Sequence, residues 1–321
     1  MKLLYIAPHL STGGLPQYLF KKIEMLVKKN ISILVVEYSD LGGDAFIVQK
    51  ERIRNLVPIK TLYDDKREII SVIEDFKPDV IHFEELPEYF MDRAIAMEIY
   101  ASDKKYKLIE TTHDSSFDVA NKIFIPDEFL FVSDYSIQQF SKLSVPSKLV
   151  EYPIEIQERP SRKTALESLG LDPSKIHILN VGLFTPRKNQ KEIAEYAKEL
   201  LHLPVQFHFV GNQAGNFEFY WKPIMDNLPE NCVVWGERKD TDAFYSSMDL
   251  FLFTSKGTVH DKETNPLSLK EALAWDMNIL MYNLPVYLNK YDYVPNVSYL
   301  TQDIAQNIAM IGKFINFNRE D

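Results

Sequence analysis

Along almost the whole chain, short apolar runs alternate with segments whose apolar residues recur at helical spacing. A short apolar run reads as a strand buried on both faces, and the helix-period segment after it supplies the cover. Repetition of that pair predicts stacked βα units around parallel sheets. Leu3–Ala7 is the first predicted strand. The helix Tyr18–Asn30 follows, with Leu19, Phe20, Ile23, Leu26 and Val27 in one stripe, and Ile31–Glu37 is the next strand. Val80–Phe83, Leu108–Thr112 and Phe129–Ser133 read as further buried strands, while the strand count over residues 40–65 stays open.

The stretch Tyr152–Ser161 holds two prolines and alternating charges but no period, which predicts a linker. A second βα series begins after it. Its strands lie near Ile176–Val181, Val205–Val210, Cys232–Trp235, Leu250–Thr254 and Asn278–Tyr282, with helices at Gln190–Leu201 and Pro266–Trp275. A chain of 321 residues has room for two such cores. The predicted organisation is a Rossmann-like domain over 1–152 and a second over 161–300. Residues 301–321 form a final helix whose Ile304, Ile308, Ile311 and Ile315 recur at spacings of four, three and four. That stripe must cover apolar surface, and packing back on the N-terminal domain is one way to do so.

Composition removes several classes. A net charge of −10 argues against a phosphate-backbone footprint, so nucleic acid is not an expected partner. The single cysteine, Cys232, excludes an intrachain disulfide framework and a Cys-based metal cluster; its Cys-Val-Val-Trp context reads as core strand. No apolar run approaches the ~20 residues of a membrane span. The expected location is cytoplasmic, at most peripheral at the inner membrane face. Lys21, Lys22, Lys28 and Lys29 surround the first helix's stripe and could meet anionic lipid weakly, although a solvated helix face explains them as well.

The most informative segment is Lys262-Glu263-Thr-Asn265-Pro266-Leu267-Ser268-Leu-Lys-Glu271. Asn265 suits an N-cap and Pro266 the first helical position. Glu263 then lies in the loop and Glu271 on the helix. The backbone N–H groups of residues 266 to 268 would favour anionic oxygen, helped by the helix dipole. Two carboxylates flanking an anion pocket suit a sugar joined through a diphosphate to a nucleoside, but an ordinary surface glutamate on a helix fits the spacing equally. Asn180 to Gln190 ends a strand and carries Arg187 and Lys188, which can neutralise a phosphate leaving group. A solvated basic turn is the alternative.

In the first βα turn, Gly13 and Gly14 permit close backbone approach, though the segment is not GxGxxG. His113, in Thr112-His113-Asp114, lies just past a strand end. His82 reads as structural, His9 is undecided, and His260 sits in the loop before Glu263. Neither an HExxH metal-ligand spacing nor a GxSxG nucleophile elbow occurs.

Together these segments resemble the family 4 retaining glycosyltransferases of GT-B fold, over nearly the whole chain. Glu263 through Glu271 resembles the family's E-x7-E motif, and Asn180–Gln190 its strand-turn segment ending in a basic residue. Gly13-Gly14 lies where the family has donor-phosphate glycines. Thr112-His113-Asp114 resembles its active-site histidine segment, and Phe131–Ser136 its V-S-x-x-S stretch. The resemblance implies an α/β architecture of two Rossmann-like domains whose parallel sheets face across a cleft. It implies transfer of a sugar, with retention, from a UDP- or GDP-linked donor to a carbohydrate or lipid-linked acceptor, without metal or cofactor. Lys188, helped by Arg187, would contact the donor phosphates, with Asn265, Pro266, Leu267 and Ser268 around them. Glu271 would hold the ribose, Glu263 the sugar hydroxyls, and His113 the sugar or the acceptor. Leu183 follows Gly182 where many members carry arginine, and Trp275-Asp276 replaces small residues. The Leu183 departure keeps open a non-catalytic GT-B module that binds a nucleotide or glycan, with a sugar-nucleotide epimerase as a third reading.

Overall fold

The computed structural model describes residues 1–11, 13–40, 48–151, 154, 156, 159–257 and 262–318. The chain divides into two compact units, Met1–Tyr152 and Pro153–Asp321. The boundary falls inside the predicted linker, half of which lies outside the described residues, as do Thr12, His260 and Asp261.

The N-terminal unit is built on a seven-stranded parallel sheet. Its strands are β1 (Lys2–Ala7), β2 (Ser32–Glu37), β3 (Ile59–Thr61), β4 (Val80–Phe83), β5 (Lys107–Glu110), β6 (Glu128–Phe131) and β7 (Ser147–Leu149). Their spatial order is β3-β2-β1-β4-β5-β6-β7. In β1 every residue from Leu3 to Ala7 is buried, which explains why the run is apolar without alternation. The helix Gly14–Val27 covers it with Leu19, Phe20 and Ile23. Gly13 caps that helix at φ 127°, a backbone conformation that a side chain disfavours.

This packing removes Lys22 from the four lysines read as able to meet lipid. The helix's apolar stripe is spent on the sheet, and Lys22 is buried beneath it rather than presented outward. Lys28 and Lys29 are exposed, and Lys21 pairs with Glu24 at 3.3 Å. Among the described residues no helix is long and apolar enough to cross a membrane.

The C-terminal unit carries a six-stranded parallel sheet. Its strands are β8 (Ile176–Val181), β9 (Val205–Val210), β10 (Cys232–Gly236), β11 (Leu250–Phe253), β12 (Asn278–Met281) and β13 (Val297–Tyr299), in the order β10-β9-β8-β11-β12-β13. Cys232 starts the edge strand β10 and is only half-buried, yet its surroundings push the thiol up to about 12, which keeps it protonated and unreactive. The helix Ile304–Phe317 finds its cover within this same unit. Ile311 and Ile315 are fully buried in the core that includes Tyr196, Ala197 and Leu200 of the helix Gln190–Glu199. Ile311 and Ile315 of the predicted stripe are thus covered within this unit, while Ile304 is exposed. Full burial of such an isoleucine contributes about 1.5–3 kcal/mol.

In each sheet the chain order reverses once, between β1 and β4 and between β8 and β11. Loops leaving the C-terminal ends of strands on either side of such a reversal diverge and open a crevice. The loops carrying Lys188 and Glu263 leave β8 and β11, and those carrying Gly13 and Glu84 leave β1 and β4.

Candidate active site

The turn after β8 is held in place by its neighbour β11. The Asn189 N–H donates to Thr185 O at 3.1 Å, and Asn189 adopts a left-handed φ of 57° as the chain enters the helix Gln190–Glu199. Thr254 Oγ1, at the end of β11, donates to Lys188 O at 3.0 Å, and the Lys256 N–H donates to Arg187 O at 3.0 Å. Lys256 Nζ in turn pairs with the buried Glu192 at 2.6 Å, while Asn189 Nδ2 donates to the same carboxylate at 2.8 Å. The two cations of this turn therefore ride on a clamped backbone.

Their side chains converge on Glu263. Lys188 Nζ lies 2.7 Å and Arg187 Nε 3.7 Å from Glu263 Oε1. Glu263 is 4% exposed. Burial alone would raise its pKa, but Lys188 and Arg187 outweigh that effect and hold the carboxyl below its usual range. Glu263 is thus an ionised acceptor at neutral pH, able to take hydrogen bonds from hydroxyls. Among the described residues, the buried Asn265 Nδ2 and Tyr287 Oη meet no hydrogen-bond partner; Glu263 contributes to raising the Tyr287 pKa, second to burial.

The helix after the motif begins one residue later than predicted, as Leu267–Ala274. Pro266 occupies the capping position with φ −68° and ψ 111°, and no side chain caps the end. Asn265 is therefore not the N-cap: the extended ψ at Pro266 delays the first helical residue by one. Proline also has no N–H, so the donors open to an anion are those of Leu267 and Ser268 rather than of 266 to 268. Farther along the helix, Glu271 Oε2 accepts a 2.6 Å hydrogen bond from Tyr245 Oη. Tyr245 is itself stacked on Trp275, with ring centroids 6.5 Å apart and planes 16° apart. Trp275 thus has a use: it backs the tyrosine that orients Glu271.

Close backbone packing completes this edge. A Cβ on Gly211, at the end of β9, would lie 2.1 Å from Gly182 O, so Gly211 admits no side chain without displacing Gly182. Leu183 has its carbonyl taken by Gln190 Nε2 at 3.0 Å. Its side chain adds no charge.

In the N-terminal unit, the Leu10 N–H donates to Glu37 Oε1 at 2.8 Å, and Glu37 pairs with Lys50 at 2.7 Å, which ties the loop before Gly13 and Gly14 to β2. His113 follows β5 and is set by two glutamates. Its N–H donates to Glu85 Oε2 at 3.0 Å, and its Nε2 lies 3.3 Å from Glu84 Oε2. His82 is 2% exposed, donates or accepts at Thr111 Oγ1 at 2.8 Å, and is pushed down to about 3 chiefly by burial, so it is a neutral core residue. The Phe131–Ser136 stretch is a helix start: the Ser136 N–H donates to Ser133 Oγ at 3.2 Å.

Of the predicted residues, Arg187, Lys188 and Glu263 are in mutual contact, and Glu271 stands on the helix that begins four residues after Glu263. Gly13, Gly14 and His113 belong to the other unit. Sequence reasoning missed Tyr245, Thr254, Lys256, Gly211, Lys22 and Glu84. The Glu84-Glu85 doublet just past β4 was a readable signal, because strand ends of this kind face ligands. Tyr245, mid-helix and distant in sequence, offered none.

The fold is GT-B: two Rossmann-like units, each on a parallel sheet. Residues 161–289, within the C-terminal unit, match the family model of glycosyl transferases group 1. Among solved structures, HepE of Anabaena in complex with UDP-glucose is similar with a TM-score of 0.79 at 14% identity, covering 99% of this chain and 91% of that one. A glycosyltransferase from Rickettsia africae gives 0.72 at 15%, covering 98% and 88%. Sucrose-phosphate synthase from Thermosynechococcus elongatus gives 0.74 at 12%, covering 98% and 90%. No curated protein matches the sequence.

Proposed function

We propose that the protein is a retaining, hexosyl-type glycosyltransferase that moves a sugar from a nucleoside-diphosphate donor, UDP- or GDP-linked, to a hydroxyl of a carbohydrate or lipid-linked acceptor. The observation that carries this reading is the Lys188–Glu263 ion pair of 2.7 Å, set beside the open first turn of the helix that bears Glu271. Among the relatives, HepE has been crystallised with UDP, with UDP-glucose, and with UDP and glucose, which supports a nucleotide-sugar donor.

The diphosphate lies on the N–H groups of Leu267 and Ser268, with Lys188 and Arg187 neutralising the charge that grows as the glycosidic bond breaks. Glu271, oriented by Tyr245, takes the ribose hydroxyls. Glu263, kept ionised by its cations, takes the sugar hydroxyls near the reacting carbon, and Asn265 Nδ2 gains an acceptor there. The departing phosphate oxygen takes the proton of the attacking hydroxyl, so the sugar leaves and arrives on the same face. Lysine and arginine charge does the work a metal would do elsewhere, and no cofactor is required. His113 contacts the sugar or the acceptor. The protein works in the cytoplasm, at most touching the inner membrane face.

A second reading rests on Leu183. With one cation of the usual phosphate pair missing, the chain would bind a nucleotide or glycan without turnover. Incubation with a panel of UDP- and GDP-sugars, read by 1H NMR, separates the two. Release of the sugar with its anomeric configuration kept supports the transferase. Nucleotide binding with no hydrolysis or transfer supports the module, an altered sugar still on its nucleotide an epimerase, and an inverted product contradicts retention.

A further inference from the structure

Beside the turn that carries Arg187 and Lys188, the C-terminal unit buries a carboxylate that accepts from four side chains. Glu192, in the first turn of the helix Gln190–Glu199, is 5% exposed. Its Oε1 accepts from the hydroxyls of Tyr196, one helical turn on, and of Tyr282, just past β12. Its Oε2 accepts from Asn189 Nδ2 at 2.8 Å and from Lys256 Nζ at 2.6 Å. An ionised carboxylate offers about four such positions, so this one is saturated. Burial would raise the Glu192 pKa, but Lys256, the two tyrosines and Asn189 outweigh it and keep the carboxyl ionised.

The tyrosines are themselves held in the donating sense. Asn307 Nδ2, on the helix Ile304–Phe317, donates to Tyr196 Oη at 3.0 Å and lies 3.4 Å from Tyr282 Oη. Asn307 is fully buried, and its Oδ1 accepts from the Thr301 N–H at 2.8 Å. Hydrogen bonds therefore run in one direction, from the last helix through the tyrosines to Glu192. A buried polar network satisfied in this way is rigid and specifies a single arrangement.

Asn189 is where the network meets the turn. Its φ of 57° and ψ of 40° are left-handed, a conformation that residues other than glycine disfavour. An asparagine is held there by a local hydrogen bond from its side chain, and the acceptor it finds is Glu192. Were Asn189 to relax to negative φ, the chain would change direction at that point. Lys188, the residue before it, would then swing away from Glu263, now at 2.7 Å.

We propose that Glu192 holds Asn189 in its left-handed conformation and thereby aims the Arg187–Lys188 turn at the donor diphosphate. Glu192 is a positioning residue that acts through the turn and not on the substrate. The diphosphate half of this statement rests on the reading of Arg187 and Lys188 under the proposed function; the conformational half does not. Every residue in the network belongs to the C-terminal unit.

A double-mutant cycle in the full chain tests this. Glu192→Met keeps the length of the side chain and removes its acceptors, while Lys256, whose side chain is 36% exposed, can turn to water. Calorimetric titration should show UDP or GDP bound roughly tenfold more weakly, the scale for losing one strained backbone conformation. NMR of the ligand-free chain, through the 13Cα shift and the HN–Hα coupling of residue 189, should show left-handed φ in the native chain and its loss in Glu192→Met. Glycine reaches positive φ unaided, so adding Glu192→Met to Asn189→Gly should change affinity by less than about twofold. A merely structural Glu192 would weaken binding equally in both backgrounds. That result overturns the proposal, as does left-handed φ kept in Glu192→Met. Should Glu192→Met fail to fold, Asn189→Ala leaves Glu192 with its other three partners and removes only the holding bond. The same loss of affinity is expected, and native affinity overturns the proposal. If the native chain binds neither nucleotide, the proposed function fails, and the NMR result still decides what Glu192 does.

Discussion

Lys188 Nζ and Glu263 Oε1 stand 2.7 Å apart, so the residue assigned to phosphate and the residue assigned to sugar are bound to each other. Substituting Lys188→Met leaves a buried carboxylate with Arg187 at 3.7 Å as its nearest cation. The cost at neutral pH should be about 2 kcal/mol, the price of one poorly paired buried charge. Glu263 titrates below its usual 4.5, so the pair's contribution is present above that value and is lost as pH falls through the lower folded value. Urea melts should show a gap between native and variant at pH 7 that narrows towards pH 3.

Tyr245→Phe removes the 2.6 Å hydrogen bond to Glu271 but keeps the ring stacked on Trp275. If Glu271 binds the ribose equally in ground and transition states, KM for the donor rises and kcat stays near native. A hydrogen bond to a charged group is worth about 1.5–3 kcal/mol, which corresponds to a rise of roughly tenfold or more. Steady-state kinetics decide. A fall in kcat at constant KM would place Glu271 on the reacting bond instead.

Gly211→Ala puts a methyl 2.1 Å from Gly182 O. The backbone of Gly182 must shift, and Gly182 begins the turn that carries Arg187 and Lys188. A loss of about 2–3 kcal/mol in stability is expected from overpacking and strain, together with weaker nucleotide binding. Thermal melting and titration of UDP and GDP check both. Stability lost with binding intact would show that the two ends of β8 and β9 do not set the turn.

Glu85 gives a pH test in the N-terminal unit. Burial raises its carboxyl to about 8, against hydrogen bonds from Leu86 and His113 that lower it. A carboxyl raised on folding contributes most below its unfolded value near 4.5, and that contribution is lost as pH climbs to about 8. Glu110, raised to about 7, adds to the same trend at lower pH. Stability of the native chain should therefore fall between about pH 5 and 8 more steeply than that of Glu85→Gln. Parallel slopes would show that Glu85 is ionised in the folded state throughout.

The buried parallel strands were legible because both faces are covered, which leaves an unbroken apolar run; Ile176–Val181 and Val205–Val210 match residue for residue. β7 and β13 were not, since each is a three-residue edge strand with no run to read. The strand Ile59–Thr61 escaped for the same reason, and the short helix Val48–Arg54, with Lys50 and Ile53 as its buried residues, has too few apolar positions to show a period. The charged centre around Glu263 was legible because its residues cluster in two short segments at strand ends. What orients them was not: Tyr245 reaches Glu271 across 26 residues and Lys256 reaches Glu192 across 64, and only folding joins them.

The most direct measurement is turnover of the best donor in the screen by the native chain, Glu263→Ala and Lys188→Ala, each verified as folded by circular dichroism. Both variants are expected to lose roughly 100-fold or more in kcat, the scale for removing a group aimed at transition-state charge. Native turnover in both would contradict the assignment of this site.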